Sequence, residues 1–244
     1  MRKKPKKNTW RHMVNSVMQS LSRSGTPSIS SRYTAYQIFD KLLSTRAAFI
    51  KRSKQARKGI GQQCVQTIPC IELIPVDKDM CPCNPPKGCK WLRSKDPLPK
   101  VISLISVTNS AADFNAEFVE WSQFKNKISG RSYDDSERFY TFLDVGTGSY
   151  LYLYNEDFLE NIAVTGVFED PTEALTFAGC SKLTKDQETA LCNPLDVNVY
   201  TDIDLMDTIC KATYQYFAAT LGPASADEFN DNQENAKGVV NPTT

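Results

Sequence analysis

Cys81, Cys83 and Cys89 form the densest set of chemically capable side chains in the sequence, three thiols within nine residues. With Cys70 or Cys64 upstream they could seed a zinc site, because zinc takes four thiolate or imidazole ligands in a tetrahedron. The spacing argues against it. C-x-C followed by C-x5-C is not the pair of C-x2-C knuckles that zinc folds use, and the fourth ligand would have to come from across a strand. The preferred reading is no metal and no cofactor: a proline-stiffened loop whose small, semi-apolar thiols pack under Trp91 and Leu92. Cys180 and Cys192 flank a short helical stretch and could approach each other. Eight irregularly spaced cysteines in 244 residues nevertheless read as free thiols of a reducing compartment. His12 is the only histidine, and no serine or cysteine nucleophile accompanies it. Asp77 with Asp79, Asp134 with Asp135, and Glu169 with Asp170 invite acid–base or divalent-cation chemistry. Each pair sits at a loop or strand end, where acids cap and solvate. Gly146-Thr147-Gly148 lacks the rest of a phosphate loop or dinucleotide fingerprint and reads as a turn. With no catalytic constellation, the expectation is an assembly part and not an enzyme.

The stretch from Glu137 to Pro171 must then supply the scaffold. Tyr140, Phe142 and Val145 precede the Gly-Thr-Gly turn, and Tyr150 to Tyr154 follow it, which is a β-hairpin pattern. Gly146 and Gly148 can supply positive φ angles for the connection. A third strand is expected over Ile162 to Phe168, completing an antiparallel meander with one apolar face.

Around this nucleus the fold class is α+β: a small antiparallel β-meander body with a basic N-terminal helical arm and a C-terminal helix. The boundaries are an arm over 1–61, a body over 62–221 with the meander at 137–171 and the helix at 198–221, and a flexible polar tail over 222–244. In the arm, Met13, Val17, Met18 and Leu21 recur at helical spacing after Thr9, a plausible N-cap. A second helix, capped by Ser31 or Thr34, runs through Tyr36, Phe39, Leu42, Leu43, Ala47, Phe49 and Ile50. It ends in the basic run 51–58 and stops at Gly59-Ile60-Gly61. Residues 64–76 read as a strand or extended edge segment whose prolines exclude a central position, and Val101 to Thr108 as a core strand. Residues 112–128 read as a short amphipathic helix through Phe114, Phe118, Trp121 and Phe124. Pro171 opens a helical turn, and Leu183 to Leu191 reads as a short polar helix.

Charge separates these parts. Residues 1–60 carry fifteen Lys or Arg and one acid, Asp40, a balance of +14; the rest carries fourteen bases and twenty-seven acids, a balance of −13. Such a split suits an arm that meets something anionic. As a nucleic-acid binder the arm would contact phosphates without reading sequence, since no groove-reading module is present. Aromatic residues at helical spacing favour protein docking instead, which a pure charge tail would not need. The docking residues are Tyr33, Tyr36, Phe39, Leu43, Arg46, Ile50, Lys51, Arg52, Lys54, Arg57 and Lys58. No window approaches the roughly 20 apolar residues of a membrane span, and no signal peptide is read at the N-terminus.

A basic helical arm, a small α+β body, the phrase Thr165-Gly166-Val167-Phe168-Glu169-Asp170-Pro171, a C-terminal helix and an acidic tail together resemble the neck or ring proteins of podovirus-like tailed phages. The Cys/Pro segment from Ile68 to Ile102 is similar to that of the crAss-like phages of gut Bacteroidales. The likeness covers about residues 30–220. It implies a head–tail connector subunit of the virion, assembled in the host cytoplasm. Its partners would be its own copies in a cyclic dodecamer, the portal and other neck or tail proteins, and packaged DNA held non-specifically in the channel. The competing reading is a nucleic-acid-binding accessory protein with Cys70, Cys81, Cys83 and Cys89 as a zinc element.

Overall fold

A computed structural model describes residues 9–23, 33–76, 91–109, 116–123, 138–146, 148–154, 159–177 and 185–221. In chain order the elements are α1 (Trp10–Arg23), α2 (Ala35–Gln55), β1 (Gln66–Pro75), β2 (Trp91–Ser94), β3 (Val101–Thr108), β4 (Glu117–Phe118), β5 (Phe139–Val145), β6 (Gly148–Tyr154), β7 (Asn161–Phe168), α3 (Pro171–Thr176), α4 (Lys185–Cys192) and α5 (Ile203–Leu221). Two compact units result. One holds the described residues up to 46 and from 203 on, and the other holds 47–202, so α2 runs through the boundary. The expected α+β class holds.

The first unit is helical. On α1, Trp10, Met13, Val14, Val17 and Leu21 are all buried, an i, i+3, i+4 stripe that faces inward because water is excluded from it. Each such side chain contributes about 1.5–3 kcal/mol of burial. Thr34 caps α2 in a capping box: its Oγ1 accepts from Gln37 N–H at 3.3 Å, and Gln37 Oε1 accepts from Thr34 N–H at 2.9 Å. The Phe39 ring meets Trp10 edge-on at 5.5 Å. On α5, Ile209, Thr213 and Phe217 are buried at four-residue spacing, and this helix packs on α1. The C-terminal helix therefore groups with the arm's helices, where sequence pattern assigns it to the sheet body. Its stripe records only that one face is covered, not by what.

The second unit is built on a seven-stranded sheet in the order β3-β7-β1-β2-β6-β5-β4. The hairpin β5–β6 forms as expected, from Phe139↔Tyr154 to Val145↔Gly148. Gly146 takes φ +63° at its turn. Gly148 has a different role: an added Cβ there would lie 2.6 Å from Pro97. The expected third strand of the meander does not join the hairpin. β6 pairs with β2 instead, Trp91 opposite Tyr154, and β7 is separated from β6 by two strands, lying between β3 and β1. Every second residue of β7 from Ile162 to Phe168 is buried, and so is Val167. Such a strand is satisfied by neighbours on both sides, which an end position in a meander would deny it. Trp91 meanwhile packs its ring 5.2 Å from Tyr154 and 6.2 Å from Tyr152, which favours β2 beside β6.

Three further expectations are corrected. β1 is central despite Pro69 and Pro75. It pairs with β7 through Gln66–Glu72 and with β2 only through Leu73–Pro75, and the β7 ladder shifts register between Ile68 and Ile71. Pro69 sits in that bulge, where the missing N–H costs no ladder bond, and Cys70 takes φ +58° beside it. β3 is a strand but an edge one, paired only with β7 among the described residues; Ile105 on it is 57% exposed. Residues 116–120, expected in a helix, are extended instead: Glu117 and Val119 N–H donate to Arg138 and Tyr140 carbonyls at 3.0 Å each, making β4. Helix is present at 121–123, the last described residues of this segment, with Trp121 5.9 Å from Trp91. Phe114 and Phe124 lie outside the described residues.

The core of the sheet gathers Ile68, Ile71, Leu151, Leu153, Ile162, Val164 and Phe168 on one face. Trp91, Phe139 and Tyr152 fill the other. α3 begins with Pro171 at N1, as expected, under an Asp170 cap whose Oδ1 accepts from Thr172 N–H and Oγ1–H at 2.7 and 2.6 Å.

Candidate interaction surface

The eleven residues predicted to dock a partner separate into two groups. Phe39, Arg46 and Ile50 are buried. Phe39 meets Trp10, and Ile50 packs with Ile102 and Val167. Tyr33 lies 4.6 Å from the Phe217 ring, and Leu43 is half-buried. The aromatic stripe is thus largely the chain's own core, and a helical stripe alone does not say whose surface covers it. Tyr36 remains 54% exposed.

The cationic end of α2 is the group that faces outward. Lys51 Nζ lies 3.0 Å from Glu169 Oε1, and Lys54 Nζ donates to the Ile102 carbonyl at 2.6 Å. The Arg52 guanidinium stands 6.0 Å from the Phe49 ring centre. Arg57 and Lys58 are exposed and close the helix before the expected glycine. Arg57 takes φ +54°, its N–H donates to the Lys54 carbonyl, and Lys58 N–H donates to the Ser53 carbonyl. This is a Schellman motif with arginine where glycine is usual. The helix C-terminus carries partial negative charge, so cations suit it.

Sequence pattern alone misses what lies beside this end. β3 and β4 stand at opposite ends of the strand order, yet β3 and the β4–β5 edge line one groove of about 630 Å³. Leu104, Phe118, Tyr140 and Phe142 supply apolar lining, and Lys51, Lys54 and Lys100 supply positive charge. Phe118 is 50% exposed. Burial pushes the Tyr140 hydroxyl up to about 12. An adjoining hollow of about 510 Å³ holds Asp144, Glu169, Asp170 and Glu173. Burial, then the Asp170 charge, raises the Glu173 carboxyl above the usual range. No spacing rule could assemble these residues, because sheet curvature brings them together from distant segments.

A family model described as phage tail ring protein 2 matches residues 13–235. The chain belongs to that family, within the crAss-like phage ring proteins. No curated protein matches it. The phage tail ring family assigns it a structural role as a component of the virion.

Within this ring-family fold the chemically capable residues take local roles. Asp170 caps α3 and Glu169 meets Lys51. His12 is exposed on α1. Cys70 is disulfide-bonded, which corrects the all-thiol expectation and removes it as a zinc thiolate. Cys81, Cys83, Cys89 and Cys180 lie outside the described residues, as do Asp77, Asp79, Asp134 and Asp135. Cys64, Cys192 and Cys210 stand outside any disulfide, and burial, then the Asp207 charge, pushes Cys210 up to about 11. Among the described residues no three His, Cys, Asp or Glu side chains are grouped to hold a metal ion, and no helix is long and apolar enough to cross a membrane.

Proposed function

We propose that the chain is a non-enzymatic, ring-forming subunit of the head–tail connector. It docks on the portal or an adjacent ring and helps enclose the DNA channel in a cyclic assembly, a dodecamer by the resemblance. The observation that carries this is the family match over 13–235. The charge division supports it: a ring subunit needs two unlike side surfaces that meet head to tail, and a front end of +14 beside a remainder of −13 supplies them. The exposed cations Arg52, Arg57 and Lys58 are the part of the arm open to a partner. Contact with DNA in the channel would be electrostatic and independent of sequence.

The test is electron microscopy and mass measurement of the purified chain, alone and with its portal. The wild type is expected to form closed rings. Removal of residues 1–8, or the triple reversal Arg52→Glu, Arg57→Glu and Lys58→Glu, is expected to weaken ring or portal association while leaving the helical content intact. Unchanged assembly in both variants would contradict a docking role for the arm.

A further inference from the structure

We infer that the groove between β3 and the β4–β5 edge receives the C-terminal segment, residues 222–244, of a second copy, anchored by Phe229. The inference rests on the ring-forming reading above. The groove has a volume of about 630 Å³, within the range of pockets that hold a defined ligand. Its apolar lining includes Phe118, an aromatic left 50% exposed. β3 is a terminal strand of the sheet, paired with β7 and with no second strand beside it among the described residues, the kind of edge that an extended chain can join.

Charge selects the occupant. Lys51, Lys54 and Lys100 enter the groove, and the exposed Arg52, Arg57 and Lys58 follow Lys51 and Lys54 along the chain. Residues 222–244 carry four acids, Asp227, Glu228, Asp231 and Glu234, against one base, Lys237. Phe229 is their single aromatic and stands among those acids. An aromatic anchor with flanking carboxylates matches an apolar floor with flanking ammonium groups. Nucleic acid fits less well. Asp144 and Glu169 line the same groove, so its charge is mixed; a phosphate backbone of uniform negative charge suits it less than a peptide that can set carboxylates at the lysines and N–H groups at the acids.

The experiment places a photo-crosslinking residue in the full chain, Phe229→p-benzoylphenylalanine, in a mixture of light and heavy isotope-labelled copies. Ring formation is followed by mass measurement in parallel. Crosslinks to β3, Phe118 or Phe142 in pairs of mixed isotope are expected. Lys100→Glu should weaken subunit association at least tenfold, and the paired reversal Asp227→Lys with Glu228→Lys should restore it. Rings that form normally with crosslinks elsewhere, or only within one chain, overturn this assignment and leave the ring reading standing. Loss of those mixed-isotope crosslinks when DNA is added, with rings intact, also overturns it. A chain that stays monomeric overturns both.

Discussion

Lys54 donates a hydrogen bond from Nζ to the main-chain carbonyl of Ile102 across 2.6 Å, fastening the cationic end of α2 to the edge strand β3. Lys51, one turn earlier, makes an exposed ion pair with Glu169 at 3.0 Å and no other among the described residues. The two lysines should differ in worth. A charged donor on a backbone carbonyl contributes about 1 kcal/mol or more, while an exposed ion pair contributes between zero and about 1 kcal/mol. Lys54→Met, which keeps the apolar stem, is expected to lower unfolding free energy by about 1 kcal/mol in a urea titration. Lys51→Met should cost less. Equal losses would contradict the assignment.

Arg57 holds a left-handed conformation at φ +54°, which costs a side-chain-bearing residue about 1 kcal/mol relative to glycine. Arg57→Gly should therefore raise the melting temperature by a few degrees. A lower melting temperature would show that the arginine side chain contributes more than its backbone strain costs.

Gly166 in β7 sits where an added Cβ would lie 2.8 Å from the Ser103 carbonyl oxygen and 3.4 Å from Leu104 Cα. Both are backbone atoms of β3 and cannot rotate away. Gly166→Ala should destabilise the sheet by about 1–3 kcal/mol, with hydrogen exchange accelerated first along β3. Protection of β3 equal to that of the wild type would refute the close approach.

Tyr140 is held neutral up to about 12 by burial, against about 10 for an exposed tyrosine. The unfolded chain loses this proton first, so above pH 10 the folded state binds more protons than the unfolded one. Stability is then full below pH 10 and falls as pH rises towards 12. Thermal melts at pH 9 and pH 11.5 should show a smaller loss for Tyr140→Phe than for the wild type. An identical loss would place the hydroxyl in water.

Much of the local structure was legible in the residues themselves. The stripe Met13, Val17, Leu21 marks α1, Thr34 with Gln37 marks the start of α2, and Asp170 before Pro171 marks α3. The hairpin around Gly146 and the opposed charges of the two chain parts were equally readable. Each of these depends on neighbours a few residues apart, where side-chain period and backbone preference act directly.

Tertiary structure alone decided the rest. It placed β1 and β2 between β7 and β6, buried Phe39, Arg46 and Ile50, and curled the sheet so that Leu104 and Phe118 share a groove. The physical reason is that an apolar pattern says which face leaves water but not which surface covers it. Strand pairing and burial are settled between segments far apart in the chain, by fit and not by spacing.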